Sequence, residues 1–243
     1  MILILGGTAE ARELAGALHA RGVAVTTSLA GRVARPRLPP GEVRIGGFGG
    51  PEALAAWLGA QGVRAVVDAT QPFAERISAS ATAACVAAGV PLLRLERPGW
   101  SERPGDRWTW VDDLGAAARA VPALGGRVLL TTGRQGLSAF AGCAGPWFLV
   151  RCVDPPQPPL PPRHALILDR GPYTLDGELE LIDRHRIDLV VTKDSGGGHT
   201  QAKLDAARAR ELPVIVVRRP PRPDGPVVAA VAGACGWALG HAG

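Results

Sequence analysis

The sequence is poor in aromatic residues and contains no long apolar run. A membrane-spanning helix needs about 18 consecutive apolar residues, so we expect no membrane segment. Blocks of lysine and arginine are also missing, and aromatic residues make up only 5% of the chain, which excludes a platform for stacked bases. The sequence opens directly on an apolar strand without a basic leader, which predicts a cytoplasmic protein. We therefore expect neither a membrane nor a nucleic acid as partner.

Cysteine and tyrosine are scarce as well. Cys85, Cys143, Cys152 and Cys235 are scattered, without the close spacing of a zinc site or a redox pair. This pattern predicts reduced structural thiols and no bound metal. The single tyrosine, Tyr173, has no lysine four residues after it, which disfavours a short-chain dehydrogenase of the common type.

What the sequence does have is a regular alternation of strand and helix patterns. Its 243 residues are 47% apolar and 20% charged, which is typical of a globular protein with a real core. Strands are predicted at 1–5, 23–28, 42–50, 64–70, 90–96, 127–133, 147–152, 165–169, 188–198 and 213–219. Helices are predicted at 8–20, 51–60, 72–89, 175–185, 200–210 and 227–239.

This alternation predicts an α/β protein with parallel sheets. Ten strands are too many for one simple unit, so we expect two Rossmann-like, doubly wound domains with a ligand cleft between them. The border is predicted near residue 112, which gives domains of 1–112 and 113–243.

In such sheets ligands bind at the carboxyl ends of the strands. Gly6, Gly7 and Thr8 follow the first strand, where glycines let a diphosphate approach the backbone and the helix N-terminus favours its charge. Tight packing of the strand on its helix is the alternative explanation for these glycines.

After the second strand an NAD site usually carries an acid, but this chain has Ser28 and Arg32 instead. A hydroxyl and a guanidinium suit a 2′-phosphate, which predicts NADP(H).

Other strand ends carry polar or glycine-rich turns. Gly47 in "GGFGG" and Thr70 in "DATQPFA" are further candidates for the cofactor site. In the second half, "TTGRQG" carries Arg134, and "TKDSGGGHT" combines Lys193 with a run of glycines that can cradle an anion. The net charge of +5 fits a substrate with several carboxylates.

Taken together, "ILILGGTAEARELA", "SLAGR", "GGFGG", "DATQPFA", "LERPGW", "LTTGR", "RGPY" and "TKDSGGGHT…KL" resemble the precorrin-6A reductase family of cobalamin biosynthesis. The resemblance implies NADPH-dependent reduction of one double bond in a tetrapyrrole, precorrin-6A, to give precorrin-6B. It implies that the first domain binds NADPH, that the second binds the tetrapyrrole, and that neighbouring pathway enzymes make transient contacts. Expected substrate-binding residues are Arg12, Gln71, Arg76, Arg97, Arg134, Arg151, Lys193, Ser195, Gly196 and Gly197.

One position departs from the family pattern. The family commonly has "ATHPFA" where this chain has Gln71, and an amide cannot donate a proton at neutral pH. The proton then comes from water, from a substrate carboxylate or from another residue, for which Asp194 and His199 are the candidates. Catalysis is expected mainly from positioning of the nicotinamide against the acceptor carbon.

Two alternatives remain open on the sequence. The chain could reduce a different polycarboxylate with NADP(H), or it could bind NADP(H) without catalysis. Only a comparison of substrates separates these readings from the reduction of precorrin-6A.

Replacing Arg32 with alanine tests the predicted cofactor preference. A charge-assisted hydrogen bond to the 2′-phosphate is worth about 1.5–3 kcal/mol, so NADPH affinity is expected to fall by about 10- to 100-fold. NADH lacks this phosphate, so its affinity should hardly change. Fluorescence titration with both nucleotides measures the two affinities, and an equal loss for both would remove the proposed role of Arg32.

Overall fold

A computed structural model describes residues 1–31 and 37–242, apart from the side chain of His199. The chain forms two compact units. Unit 1 contains the residues up to Pro98 together with those from Pro220 onward, and unit 2 contains Gly99–Arg219.

The described residues form twelve strands and seven α-helices. The strands are β1 (Ile2–Leu5), β2 (Val25–Leu29), β3 (Glu42–Ile45), β4 (Ala65–Asp68), β5 (Leu92–Leu95), β6 (Arg107–Val111), β7 (Arg127–Leu130), β8 (Trp147–Cys152), β9 (His164–Leu168), β10 (Leu189–Lys193), β11 (Pro213–Val217) and β12 (Val227–Val228). The helices are α1 (Ala9–His19), α2 (Pro51–Ala60), α3 (Glu75–Ala88), α4 (Leu114–Leu124), α5 (Leu175–His185), α6 (Ala202–Ala209) and α7 (Val231–Gly240). Short 3₁₀ helices lie at Arg134–Phe140 and Gly198–Thr200.

Unit 1 is built on one parallel sheet with the strand order β3-β2-β1-β4-β5-β12. Its central strands β1 and β4 are buried along their whole length. Continuous apolar strands of this kind are typical of parallel sheets that are covered on both faces. One core cluster joins α1 and α7 to the sheet, and another joins α2 and α3 to it.

Unit 2 repeats this plan. Its parallel sheet has the order β9-β8-β7-β10-β11-β6. In unit 1 the chain moves outward from β1 to β3 and then returns to place β4 on the other side of β1. In unit 2 it does the same around β7 and β10. Such a reversal of strand order leaves a crevice at the carboxyl ends of the two central strands, where ligands of doubly wound proteins bind.

The starts of three helices, α1, α4 and α5, are fixed by side chains that precede them in the sequence. The hydroxyl of Thr8 accepts a hydrogen bond from Ala11 N at 3.1 Å. Asp113 caps α4 and Thr174 caps α5 in the same way. A cap of this type contributes about 1 kcal/mol to helix stability. No helix in the described part of the chain is both long and apolar enough to cross a membrane.

The α/β class with two doubly wound parallel sheets is confirmed, whereas three local elements differ from the prediction. The strand β6 lies in a stretch predicted to be irregular, and α4 was not predicted. The last helix begins at Val231 rather than at 227, because Val227 and Val228 pair with β5 as the strand β12.

The border predicted near residue 112 also differs from the division seen in the structure. Strand β6 precedes residue 112 yet pairs with β11 in unit 2. The segment from Pro220 onward returns to unit 1, where α7 adds Ala234 and Ala238 to the core around α1. The physical reason is that each sheet completes its edge with a strand that is distant in sequence from the strand it pairs with.

Candidate functional site

The turn after β1 lies at the carboxyl edge of the sheet in unit 1. Gly6 N donates to Ser28 O at 2.9 Å, and Ala69 N donates to Leu5 O at 3.0 Å. Thr8 Oγ1 donates to Ala69 O at 2.8 Å while it caps α1. The turn is therefore bonded to the ends of both neighbouring strands.

Glycine stands at the two positions of this turn for different physical reasons. A Cβ atom on Gly6 would lie 2.8 Å from Thr27 Cγ2, so only glycine lets the turn pack on β2. Gly7 has φ +114°, and a Cβ atom there would meet nothing within 4 Å. Packing therefore explains Gly6, whereas Gly7 presents open backbone beside the start of α1. This geometry fits the diphosphate of a dinucleotide.

The loop after β3 adjoins the same edge. Gly46 N donates to Leu29 O at 2.8 Å, which places Gly47 beside the end of β2. Arg44 donates to the carbonyl oxygens of Gly46 and Gly47, both at 2.7 Å, and its guanidinium lies 3.8 Å from the centre of the Phe48 ring. Arg44 thus fixes the glycine loop, a role that the sequence did not reveal.

The predicted 2′-phosphate residues are only partly described. Ser28 lies opposite Leu5 in the register of β1 and β2 and is buried. Arg32 falls outside the described residues.

Asp68 at the end of β4 organises the loop that follows it. It is buried, and Oδ1 accepts hydrogen bonds from Thr70 N at 3.0 Å and from Thr70 Oγ1 at 2.6 Å. Oδ2 accepts from Ser78 Oγ at 2.5 Å and faces Arg222 Nη1 at 3.4 Å. The carboxylate therefore holds both the loop and the first turns of α3.

Arg222 holds the same loop from the returning C-terminal segment. Its side chain is 6% exposed, and it donates to the carbonyl oxygens of Gln71 and Pro72, the latter at 3.3 Å. Glu96 lies 3.8 Å from its Nε atom. No motif marks Arg222 in the sequence, because its partners lie about 150 residues earlier in the chain.

Arg97 and Glu10 form an ion pair at 2.9 Å. Burial raises the pKa of Glu10, but its own backbone N–H and the Arg97 guanidinium outweigh burial, so the pKa lies below its ordinary value. The pair lines a small pocket together with Thr8, Ala69, Thr70, Pro72, Leu95 and Glu96. The structure thus brings together Thr8, Thr70 and Arg97 from the predicted set.

The other predicted residues of unit 1 lie nearby in the chain but outside this pocket. Arg12 is half-buried on α1, whereas Gln71 and Arg76 are exposed, the latter in the first turn of α3.

The carboxyl edge of unit 2 contains predicted substrate-binding residues from two adjacent strand ends. Arg134 begins the 3₁₀ helix after β7, and Lys193 ends the adjacent strand β10. Both side chains are half-buried. Gly196 and Gly197 follow with φ angles of +63° and +74°, which favour glycine and turn the backbone after Ser195.

Asp194 is held in place by several bonds. Oδ1 accepts from Trp100 N at 2.9 Å, and Oδ2 lies 3.1 Å from Arg219 Nε. Arg219 also donates to the Asp194 carbonyl at 3.0 Å. An ion-paired carboxylate bonded in this way suits the fixing of a loop better than the release of a proton.

Arg151, another predicted carboxylate anchor, lies in the interior of unit 2. It is buried and pairs with Glu178 through two bonds of 2.5 and 3.2 Å. The sequence could not show this, because the pairing joins β8 to the first turn of α5. Within the described residues no group of three or more His, Cys, Asp and Glu side chains could hold a metal ion.

Two doubly wound parallel sheets, with an open glycine turn at the carboxyl edge of the first, define the class of Rossmann-like α/β proteins. The family model described as precorrin-6x reductase CbiJ/CobK matches residues 1–238. The chain therefore belongs to the precorrin-6x reductase family, as its motifs indicated, and is an oxidoreductase.

Individual relatives agree with the family assignment. The precorrin-6A reductase of Rhodococcus erythropolis is 54% identical over 97% of this chain and 96% of its own length. The precorrin-6A reductase of Mycobacterium tuberculosis strain H37Rv is 50% identical over 95% of this chain and 92% of its own length. A solved structure of the CobK precorrin-6A reductase superimposes with a TM-score of 0.93 at 44% identity, covering 99% of this chain and 96% of that one.

Replacing Asp68 with asparagine tests the network at the end of β4. The change leaves the buried Arg222 without its closest carboxylate, and breaking a buried pair costs about 3–5 kcal/mol. We expect the free energy of unfolding in urea to fall by about 3 kcal/mol. Asp112→Asn is the matched control, because its ion pair with Arg218 is exposed and is worth at most about 1 kcal/mol. Equal stabilities of the two variants would contradict this account.

Proposed function

We propose that this chain reduces one double bond of precorrin-6A to give precorrin-6B, with NADPH as hydride donor, in cobalamin biosynthesis. The observation that carries the proposal is the match to the family model over residues 1–238. The relatives named precorrin-6A reductase support it, because they align over nearly their whole lengths.

Unit 1 is the proposed NADPH site. The backbone of Gly6 and Gly7 and the start of α1 would hold the diphosphate, with Thr8 fixing the turn. Ser28 and Arg32 would select the 2′-phosphate, while Gly47 and Thr70 would lie along the cofactor. When bound, the nicotinamide supplies the hydride. The chain's own contribution is to position the ring and to exclude water.

Unit 2 is the proposed tetrapyrrole site. Arg134 and Lys193 project from adjacent strand ends, where cations can pair with acetate and propionate groups. Ser195 N donates to Lys193 O at 2.7 Å and so shapes the turn, and the backbone N–H groups of Gly196 and Gly197 are proposed to receive a further carboxylate. Arg12, Gln71, Arg76 and Arg97 of unit 1 are proposed as additional substrate contacts.

Delivery of the proton is assigned to a source other than Gln71, whose amide cannot donate one. Asp194 is tied to Trp100 and Arg219, so we place water or a substrate carboxylate ahead of it. His199 remains a candidate. The reaction is proposed to take place in the cytoplasm, with transient contacts to neighbouring pathway enzymes.

Anaerobic oxidation of NADPH by the purified protein tests the proposal directly. We expect oxidation only with precorrin-6A present, with NADPH strongly preferred over NADH. Oxidation with other polycarboxylates but not with precorrin-6A would favour the alternative substrate. Binding of NADPH without any oxidation would favour the non-catalytic alternative.

Replacing Lys193 with alanine tests the substrate half of the proposal. Loss of one charge-assisted contact is expected to raise the KM for precorrin-6A by about tenfold or more, with NADPH affinity nearly unchanged. Steady-state kinetics and a nucleotide titration give both values. A fall in NADPH affinity would place Lys193 in the nucleotide site instead.

A further inference from the structure

A buried charged cluster lies next to the glycine loop of unit 2. It contains Arg151 on β8, Glu178 in the first turn of α5 and Lys203 in the first turn of α6, which are all less than one-tenth exposed. Arg151 donates hydrogen bonds to both carboxylate oxygens of Glu178, and its guanidinium lies 3.9 Å from the ring centre of Tyr173. Lys203 is thus a second cation in a cluster with one carboxylate, and it forms no ion pair with any described residue.

Lys203 and Trp100 hold the loop that runs from Asp194 to Thr200. Lys203 Nζ donates to Thr200 O at 2.9 Å and lies 4.5 Å from the ring centre of Trp100. Trp100 Nε1 donates to Gly197 O at 3.2 Å, and Trp100 N donates to Asp194 Oδ1. These two residues therefore fix the loop at its start, middle and end.

Stability alone does not account for an amine at this position. Lys203 is only 3% exposed, and burying an ammonium that has no carboxylate of its own opposes folding. Burial and the neighbouring Arg151 lower the pKa of Lys203 to about 7, although Glu178 acts in the opposite direction. A methionine would fill nearly the same volume without this cost. What the amine adds is a hydrogen bond to the loop and a positive charge close to it.

We propose that Lys203 is a positioning residue for the substrate, which holds the loop 194–200 in its carboxylate-binding shape and supplies positive charge behind it. The proposal rests on the proposed function, because it takes the tetrapyrrole carboxylate as the anion that the loop receives. Lys203 acts through the loop and does not contact the reacting atoms.

The charge on Lys203 makes binding depend on pH. Among the described residues, the groups that face it are Arg151, Glu178 and the ring of Trp100, of which only Glu178 favours the charged amine by ionic attraction. Below pH 7 the amine is charged, and above pH 7 it becomes neutral. Substrate KM should therefore rise between pH 6.5 and 8.5, and binding near pH 8 should take up a proton.

The test compares Lys203→Met with the wild type in the full-length protein. At pH 6.5 the variant is expected to show a KM for precorrin-6A raised on the order of tenfold, with kcat and NADPH affinity little changed. Its KM should no longer depend on pH in this range. Trp100→Phe, which removes the bond to Gly197 but keeps the ring, should raise KM in the same direction.

Arg210→Ala is the matched control. It also removes one positive charge, but Arg210 follows the end of α6 that is opposite to Lys203, and its partner is the exposed Asp183 of α5. This variant should behave as the wild type. An unchanged KM and pH profile in Lys203→Met would overturn the proposal, and so would an equal fall of kcat and NADPH affinity, which would indicate a merely structural role.

Calorimetric titration with precorrin-6A in buffers of different ionisation enthalpy separates this inference from the proposed function. Proton uptake near pH 8 in the wild type that is absent in Lys203→Met supports the inference, and equal uptake in both overturns it. A wild type that binds precorrin-6A without oxidising NADPH would remove only the reductase proposal. A wild type that does not bind precorrin-6A would overturn both.

Discussion

Parallel pairing of the strands is the constraint on which the rest of the structure depends. It places the carboxyl ends of all strands of a sheet at one edge, so residues far apart in sequence become neighbours there. In unit 1 this edge brings the turn at Gly6 to the ends of β2 and β4 through direct backbone bonds. In unit 2 it brings the 3₁₀ helix that begins at Arg134 to the same edge as Lys193, because β7 pairs with β10. The glycine turns and cations lie at one edge of each sheet only because backbone hydrogen bonds bring these strands into register.

Buried ion pairs fix the loops at these edges. Asp68 with Arg222 holds the loop after β4, and Asp194 with Arg219 holds the loop after β10. The two pairs occupy equivalent places in the two sheets, since β4 and β10 each lie across the reversal of strand order. Buried ion pairs contribute little net stability, but they exclude other loop conformations when each oxygen is bonded. The two units therefore hold the loops after these strands by the same means.

The sequence predicted the features that depend on local pattern. Apolar runs such as Ile2–Leu5 and the glycines that follow them identified the central strands and the turn, because a strand covered on both faces must be apolar throughout. Thr8, Thr70 and Arg97 were predicted as binding residues near strand ends, and the structure places all three on one small pocket, while their roles stay predictions.

Features that depend on distant partners could not be read from the sequence. Strand β6 is an edge strand whose partner begins at Pro213, and β12 has only two residues, too few to show a pattern. Arg222 and Arg151 look like surface arginines until the fold places a carboxylate beside each of them. The role of Lys203 likewise depends on burial, which its helix alone does not determine.

The return of the chain to unit 1 has a consequence for the order of synthesis. Strand β5 remains an open edge until β12 arrives, and the core around α1 lacks Ala234 and Ala238 until α7 is made. All of unit 2 is translated in between, so the unit that emerges first from the ribosome is the last to be completed. Until then an unpaired parallel edge is accessible to other chains. A chain that ends after residue 219 therefore contains all residues of the second unit but lacks β12 and α7 of the first.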